Sequence, residues 1–314
     1  MKIIFFGTPE FAIPSLRMIL QEGYEVAAVV TAPDKPGGRG QQILSSPVKK
    51  YAIQKSIPVL QPQNLRDKEF IDAIKNITPD VMVVVAYRIL PPEVFTIPQR
   101  GAFNLHASLL PRYRGAAPIN WAIIRGETET GVTTFFLKEK VDTGNIILQA
   151  RCPIGEHETA GELHDKLAEI GSGVVLHTIG LIEQGKAKPI PQDNSLASSA
   201  PRLTRETGLI DWTADATAVH NLVRGLSPVP AAYTFLGDSM LKLYRTSIID
   251  KTVSDKPGTI MKADTQLHIA TGNGVVNIHE LQKEGKKRMD TASFLRGTQV
   301  APGQRLHSKK NSQP

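Results

Sequence analysis

Apolar runs bounded by Gly, Pro and charged residues divide the first half of the chain into alternating strands and helices. Lys2 to Phe6 reads as an apolar strand, Gly7-Thr8-Pro9 turns the chain, and a helix is expected to about Glu22. Tyr24 to Val30 is the next strand. Ser46-Pro47 opens a helix, with Ser46 as cap and Pro47 in the first position. Ile57 to Leu60 is a short strand, and Arg66 to Asn76 a helix with Phe70, Ile71 and Ile74 on one side. The run Val81-Met82-Val83-Val84-Val85, within Asp80 to Ala86, has the unbroken apolar character of a strand buried on both faces. Further strands are expected at Gly101–Leu105, Thr133–Leu137 and Asn145–Gln149. Pro118 to Arg125 reads as a helix with Trp121 and Ile124 in the core. A long amphipathic helix, Glu158 to Gln184, carries Leu163, Leu167, Ile170, Val174, Leu181 and Ile182 at roughly helical spacing. Alternating strands and helices predict an α/β domain with a Rossmann-like open sheet.

The pattern changes after the long helix. Lys188 to Ala200 contains Pro189, Pro191, Asn194 and several serines, with little apolar content, and reads as a linker. Beyond it, a helix from about Ala214 to Gly225 turns Val219, Leu222 and Val223 inward. Arg224 to Pro230 breaks it. Short strands then alternate with turns: Ala232–Leu236, Met240–Ile249, Gly258–Met261, Gln266–Ala270 and Val275–Leu281. That spacing predicts a second, smaller β-barrel domain. The expected division is residues 1–188, a linker over 189–204, and residues 205–314.

Composition narrows the class. The chain has 314 residues and one cysteine, so intrachain disulfides are excluded and a reducing cytoplasm fits. Cys152 falls on a predicted strand and suits packing better than nucleophilic work. No Cys/His group has zinc-ligand spacing, and no metal is expected. No apolar run approaches the roughly 20 residues of a membrane span, and the N-terminal stretch does not read as a signal peptide. The three-glycine dinucleotide fingerprint is missing after the first strand, so a nicotinamide or flavin cofactor is not expected. Net charge is +7 and unevenly placed: residues 201–314 hold 16 Lys/Arg against 10 Asp/Glu. A basic C-terminal third is the footprint expected for a polyanionic partner, or simply a soluble basic surface.

The chemistry concentrates where the strand at Gly101–Leu105 ends. Asn104 and His106 are two apart, so they share a face. Pro111, Gly115 and Pro118 then forbid regular structure, and the strand opens into a loop of the kind that binds ligands in open sheets. An amide there can donate to an oxygen gaining negative charge, and an imidazole can carry a proton near neutral pH. Asp142, in Asp142-Thr143-Gly144, is either a turn residue or the carboxylate that orients His106. Spacing alone leaves both open. Thr31 to Ser46, rich in Gly and Pro, is expected to form no regular element. Its Lys35 and Arg39 make it a basic arm.

Asn104-Leu105-His106-Ala107-Ser108-Leu109-Leu110-Pro111, Tyr113-Arg114-Gly115-Ala116-Ala117-Pro118 and Val141-Asp142-Thr143-Gly144 closely resemble the formyltransferases that use 10-formyltetrahydrofolate. From Met1 to about Arg305 the chain resembles the branch acting on methionyl-tRNA. The resemblance implies formyl transfer from that folate co-substrate to the α-amino group of methionyl initiator tRNA, without a metal, by a cytoplasmic monomer. It implies catalytic roles for Asn104 (donor to the oxyanion), His106 (proton carrier) and Asp142 (orienting carboxylate). The folate is expected at Ser108, Leu109, Leu110, Pro111, Tyr87 and Arg88. Tyr87-Arg88-Ile89-Leu90-Pro91 departs from the family pattern: it is one residue shorter, with Arg88 where a glycine is usual, and Arg88 is expected to face solvent. By the same resemblance Arg39 senses the end of the acceptor stem and Lys35 contacts phosphate. Lys283, Lys286, Lys287 and Arg288, with Arg296 and Arg305, line an oligonucleotide-binding (OB-like) barrel. Formyl transfer to a small acceptor, formate release by a folate-dependent hydrolase, and RNA binding alone are the competing readings.

Overall fold

The computed structural model describes all residues except 38–41, 250–251 and 309–314. The chain divides into two compact units, one of Met1–Gly115, Thr130–Cys152 and His164–Ala200, the other of Ala116–Glu129, Pro153–Leu163 and Pro201–Pro314. The segment expected as a linker is thus shared: residues up to Ala200 group with the first unit.

The first unit is built on strands β1 (Lys2–Gly7), β2 (Glu25–Val30), β3 (Val59–Leu60), β4 (Val81–Val85), β5 (Ala102–His106), β6 (Glu129–Phe136) and β7 (Ile146–Pro153). They lie in the order β7-β6-β5-β4-β1-β2-β3. From β3 to β5 every neighbour is parallel, and β6 runs antiparallel to β5. Helices α1 (Ile13–Gln21), α2 (Pro47–Gln54), α3 (Lys68–Ile77) and α4 (Ala160–Glu183) accompany the sheet. The run Val81–Val85 is buried throughout. Its alternate side chains, Met82 and Val84, join Ile4, Phe6, Phe70 and Ile74 in one cluster. Full burial of such a side chain contributes about 1.5–3 kcal/mol. Ser46 caps α2 as expected, its Oγ accepting from the Lys49 N–H at 3.0 Å. A cap of this kind is worth about 1 kcal/mol.

The chain enters at β1, builds outward through β2 and β3, and then crosses to β4 on the other side. The switch point therefore lies between β1 and β4, where Gly7 stands opposite Val85. Ligands of open sheets bind at that place, outside the carboxyl ends of the strands. β5, with Asn104 and His106, lies next to β4.

Two local expectations are corrected. The loop after β2 contains a regular element: Lys35–Gly37 pairs antiparallel with Gln42–Leu44. A two-strand ladder has only edge positions, so Pro36 costs it no obligatory hydrogen bond. In the second unit, the helix Pro118–Ile124 buries Pro118, Ala122 and Ile123. Trp121 and Ile124 are only half-buried. The Trp121 indole N–H donates to the Pro201 carbonyl at 2.7 Å. An indole needs such an acceptor, which draws the ring toward an edge.

The second unit centres on α5 (Ala216–Leu226), whose cap Asp215 accepts from the Ala218 N–H at 2.6 Å. Strands β8 (Ala232–Leu236), β9 (Ser239–Ile249), β10 (Ile260–Ala263), β11 (Leu267–Ala270) and β12 (Val275–Lys283) lie in the order β10-β11-β12-β9-β8, with Leu306–His307 beyond β8. All are antiparallel to their neighbours. A bridge between Thr259 and Arg305 joins the two edges, so the sheet curls back on itself as a small barrel. Its core holds Trp212, Val219, Val223, Leu243, Ile269 and Phe294. Val219 and Val223 face inward as the sequence pattern requires, and Leu222 packs partly buried against the same cluster. No helix among the described residues is long and apolar enough to cross a membrane.

Candidate active site

His106 is the last residue of β5, 6% exposed. Its Nε2 lies 2.8 Å from the Tyr113 carbonyl oxygen. A carbonyl can only accept, so Nε2 carries the proton and Nδ1 of the neutral ring holds the lone pair. Tyr113 adopts a left-handed backbone conformation, φ 60°. Its N–H donates to Ser198 Oγ at 2.9 Å. That tie holds the residue whose carbonyl orients the imidazole.

Asp142 Oδ2 lies 3.9 Å from His106 Nδ1. This is charge proximity, beyond hydrogen-bond reach. The ring is therefore oriented by Tyr113, and the carboxylate faces its free nitrogen. Oδ2 itself accepts from the Gly115 N–H at 2.9 Å. The Asp142 and Gly144 carbonyls both accept from Gln192 Nε2, at 3.0 and 2.7 Å. Asp142 has φ 55°, a conformation that Asp tolerates better than most residues. Gly144 packs so closely on β6 that a Cβ would run into the Phe136 carbonyl oxygen. Gly144→Ala is expected to push the Asp142 turn off the sheet and destabilise the chain by about 2–3 kcal/mol. Urea unfolding of the variant measures the loss.

Asn104 stands opposite Val84 and Phe135 in its sheet, half-buried. Among the described residues nothing hydrogen-bonds its side-chain amide. The residues beyond His106 differ in this respect. Ser108 is fully buried and its Oγ donates to the Arg112 carbonyl at 2.7 Å. The Leu110 N–H donates to Thr133 Oγ1 at 3.1 Å, and its carbonyl accepts from Gln149 Nε2 at 2.9 Å. Leu110 is buried and its bond to Pro111 is cis, while Leu109 and Pro111 are half-buried. The polar groups of Ser108 and Leu110 thus tie the loop to itself and to β6 and β7.

Tyr87 is half-buried and meets Phe6 edge to face, ring centroids 5.5 Å apart. Burial pushes its phenol pKa up, against a smaller opposing effect of Arg88. Arg88 sits at the surface as expected, yet its guanidinium is engaged. It donates to the Pro62 and Gln63 carbonyls at 2.7 and 3.0 Å, and to the Tyr87 hydroxyl at 3.0 Å.

Lys35 is exposed at the start of the short ladder, and Arg39 lies outside the described residues. The ladder's root is fixed by Asp34, which accepts from Lys49 Nζ at 2.5 Å and Gln61 Nε2 at 2.9 Å. In the second unit, Lys286 and Lys287 are exposed and Lys283 is half-buried. Arg288 pairs with Glu280 through two contacts of 2.5 Å, and its guanidinium lies 4.3 Å over the Tyr244 ring. Its charge is therefore partly spent.

An unengaged amide, an imidazole lone pair and a facing carboxylate can together stabilise an oxygen gaining negative charge and move one proton. Tyr113, Gly115, Gln192 and Ser198, which hold these groups, escape a reading of side-chain motifs. Two of them act through backbone atoms that every residue carries, and two lie some fifty or more positions further on. Among the described residues no three His, Cys, Asp or Glu converge as a metal site would require.

Residues 1–179 match the formyl transferase family, and residues 202–299 match the formyl transferase C-terminal domain. The chain is 48% identical over 308 residues to a methionyl-tRNA formyltransferase of Geobacter sulfurreducens, covering 98% of this chain and 96% of the relative. It is 47% identical to a methionyl-tRNA formyltransferase of Clostridioides difficile, with 96% and 99% covered. Among solved structures, a sugar 3N-formyl transferase crystallised with dTDP and 5-N-formyl-THF superposes with a TM-score of 0.68 at 22% identity, covering 91% of this chain and 99% of that one. At that identity the likeness speaks for the fold alone.

Proposed function

We infer what individual residues do from one premise: the chain belongs to the methionyl-tRNA formyltransferase family. It transfers the formyl group of 10-formyltetrahydrofolate to the α-amino group of methionyl initiator tRNA. The co-substrate supplies an activated formyl carbon whose nitrogen departs. The donor set beside the sheet's switch point suits such a group, because the Asn104 amide has no hydrogen-bond partner among the described residues.

In this reading Asn104 donates to the formyl oxygen as negative charge develops on it. His106 accepts the amine proton at Nδ1, while its Nε2–H stays on the Tyr113 carbonyl. Asp142 stabilises the resulting imidazolium from 3.9 Å. The proton then passes from Nδ1 toward the leaving nitrogen. The observation that carries this assignment is the commitment of Nε2 to Tyr113, which leaves Nδ1 for the reaction. Tyr87 and the Ser108–Pro111 loop are assigned to the folate, the loop through its shape because its polar groups are satisfied internally. Lys35 and Arg39 are assigned to the acceptor stem. Lys283, Lys286 and Lys287 are assigned to phosphates, with a lesser part for the Glu280-paired Arg288. Residues 1–188 are proposed as the catalytic domain and 205–314 as the tRNA-binding domain, working as a cytoplasmic monomer.

Asp142→Asn isolates the carboxylate's charge. The amide oxygen can still accept from Gly115, and Asn tolerates the positive φ. Coulomb attraction at this separation is of order 1–4 kcal/mol between dielectric constants of about 80 and 20. Single-turnover kinetics of the variant are expected to show transfer at least about tenfold slower. Parent-like rates would remove Asp142 from the mechanism. The acceptor is tested by offering methionyl initiator tRNA, glycinamide ribonucleotide and an amino-sugar nucleotide with the same formyl donor. Transfer to the tRNA alone, weakening as salt rises, is expected. Transfer to a small acceptor would reassign the basic barrel.

A further inference from the structure

The second unit contains a cleft of about 200 Å³ lined by none of the residues assigned above to formyl transfer. His157, His220, His279, Arg224, Arg245 and Ser247 are among the residues lining it, and no described Asp or Glu is. Arg224 is 7% exposed on α5. Its guanidinium donates to Asn221 Oδ1 at 2.8 Å and to the Gly155 and Glu158 carbonyls at 3.1 and 3.2 Å, all neutral acceptors. The His157 and His220 rings meet edge to face with centroids 5.5 Å apart. His220 Nε2–H donates to the Glu156 carbonyl at 3.3 Å, and its Nδ1 lies 2.9 Å from Thr246 Oγ1. His279 Nε2 lies 2.7 Å from Ser247 Oγ, which leaves its Nδ1 available.

The charged groups around the cleft have separate partners. Arg245 pairs with Glu162 on α4 and reaches Glu280 on β12 at 3.9 Å. Glu280 also pairs with Arg288. Tyr244 donates its hydroxyl to Gln282. Glu156 and Glu158, on the segment before α4, do not line the cleft, though both charges act on Arg224 and that of Glu156 on His220. The wall itself presents cations and N–H or O–H donors.

We propose that this cleft binds a phosphate-class oxyanion, held by Arg245, Ser247, His157 and His279 with the buried Arg224 behind them. An oxyanion accepts from many donors at once, and charge-assisted bonds to it are the strong ones. It also adds negative charge to that of Glu156 and Glu158 near Arg224, whose bonded acceptors are all neutral. The linkage has a definite sign. Burial, with the neighbouring Arg224 and His157, holds the His220 pKa below its ordinary value against the opposing effect of Glu156; burial and His157 do so for His279. A bound anion favours the protonated rings, so binding takes up protons and tightens as pH falls through the imidazole range.

The test is calorimetric titration of the whole protein with inorganic phosphate in chloride buffers of constant ionic strength. One site per chain is expected, and sulfate, a tetrahedral dianion whose charge does not change over this range, should bind it at least roughly tenfold more tightly near pH 6 than near pH 8. His157→Gln with His279→Gln should weaken it by at least about tenfold while leaving the melting temperature in chloride unchanged. Phosphate heats no different from chloride, or a double variant that binds like the parent, would overturn the site. The source of the phosphate is read separately, from the salt dependence of tRNA binding. A slope reduced by about one in the double variant assigns the cleft to a nucleic acid phosphate, and an unchanged slope assigns it to a free one. Because the titration contains no tRNA or folate, its outcome is independent of the transfer reaction.

Discussion

His106→Ala is expected to lower the rate of formyl transfer about 10²–10⁴-fold, the range for removing a positioned acid–base group. The imidazole is 6% exposed at the end of a buried strand, so the change also leaves a cavity and strands the Tyr113 carbonyl. A loss of about 1–3 kcal/mol in stability should accompany it. The two effects separate in one experiment. Single-turnover rates report the proton step, and urea unfolding reports the cavity. Exogenous imidazole should restore part of the rate without restoring the stability. Parent-like turnover in a folded variant would assign the proton to another group.

Asn104→Ala is expected to cost about 10²–10³-fold in turnover, the usual loss when one donor to a developing oxyanion is removed. Here the folding term should be small. The amide makes no hydrogen bond with the described residues, and Asn104 is only half-buried. Co-substrate affinity measured by equilibrium titration should move little, because the donor is needed most after charge has developed. Asn104→Asp makes the contrast sharper. It keeps the shape but offers an acceptor and a negative charge, and should be at least as slow as alanine. If it were faster, the amide would be acting as an acceptor and the mechanism would be wrong at this atom.

The fold was readable wherever burial imposes a simple period. Val81–Val85 and Ile3–Phe6 are apolar at every position because both sheet faces are covered. The barrel strands announce themselves by alternation between turns, and Ala232–Leu236 falls on its expected bounds. Expectation failed where one residue type serves two environments. Pro36 suggested an irregular arm, but an isolated ladder has no interior strand to disrupt. Trp121 suggested core, but its N–H sought a carbonyl at the edge. The site divides along the same line. Asn104 and His106 stand out by their two-residue spacing at the end of an apolar strand. Asp142 stayed between turn and orienting carboxylate, and the structure makes it a turn residue whose carboxylate faces a ring that Tyr113 orients. It takes a left-handed turn conformation, and its carboxylate lies 3.9 Å from the imidazole. The groups that fix the geometry are carbonyls, amides and distant side chains, whose roles depend on where the chain returns.

That return sets a clock on the nascent protein. Asn104, His106 and Asp142 leave the ribosome well before Gln192 and Ser198, yet these later residues tie down the Asp142 turn and Tyr113. Ser199–Ala200 then pairs with Arg114–Gly115, the backbone that supplies an N–H to Asp142. A chain stalled or cut near residue 188 would carry Asn104, His106 and Asp142 without the Gln192 and Ser198 bonds that hold the Asp142 turn and Tyr113. The full set of ties thus closes only when the segment up to Ala200 has emerged and folded back.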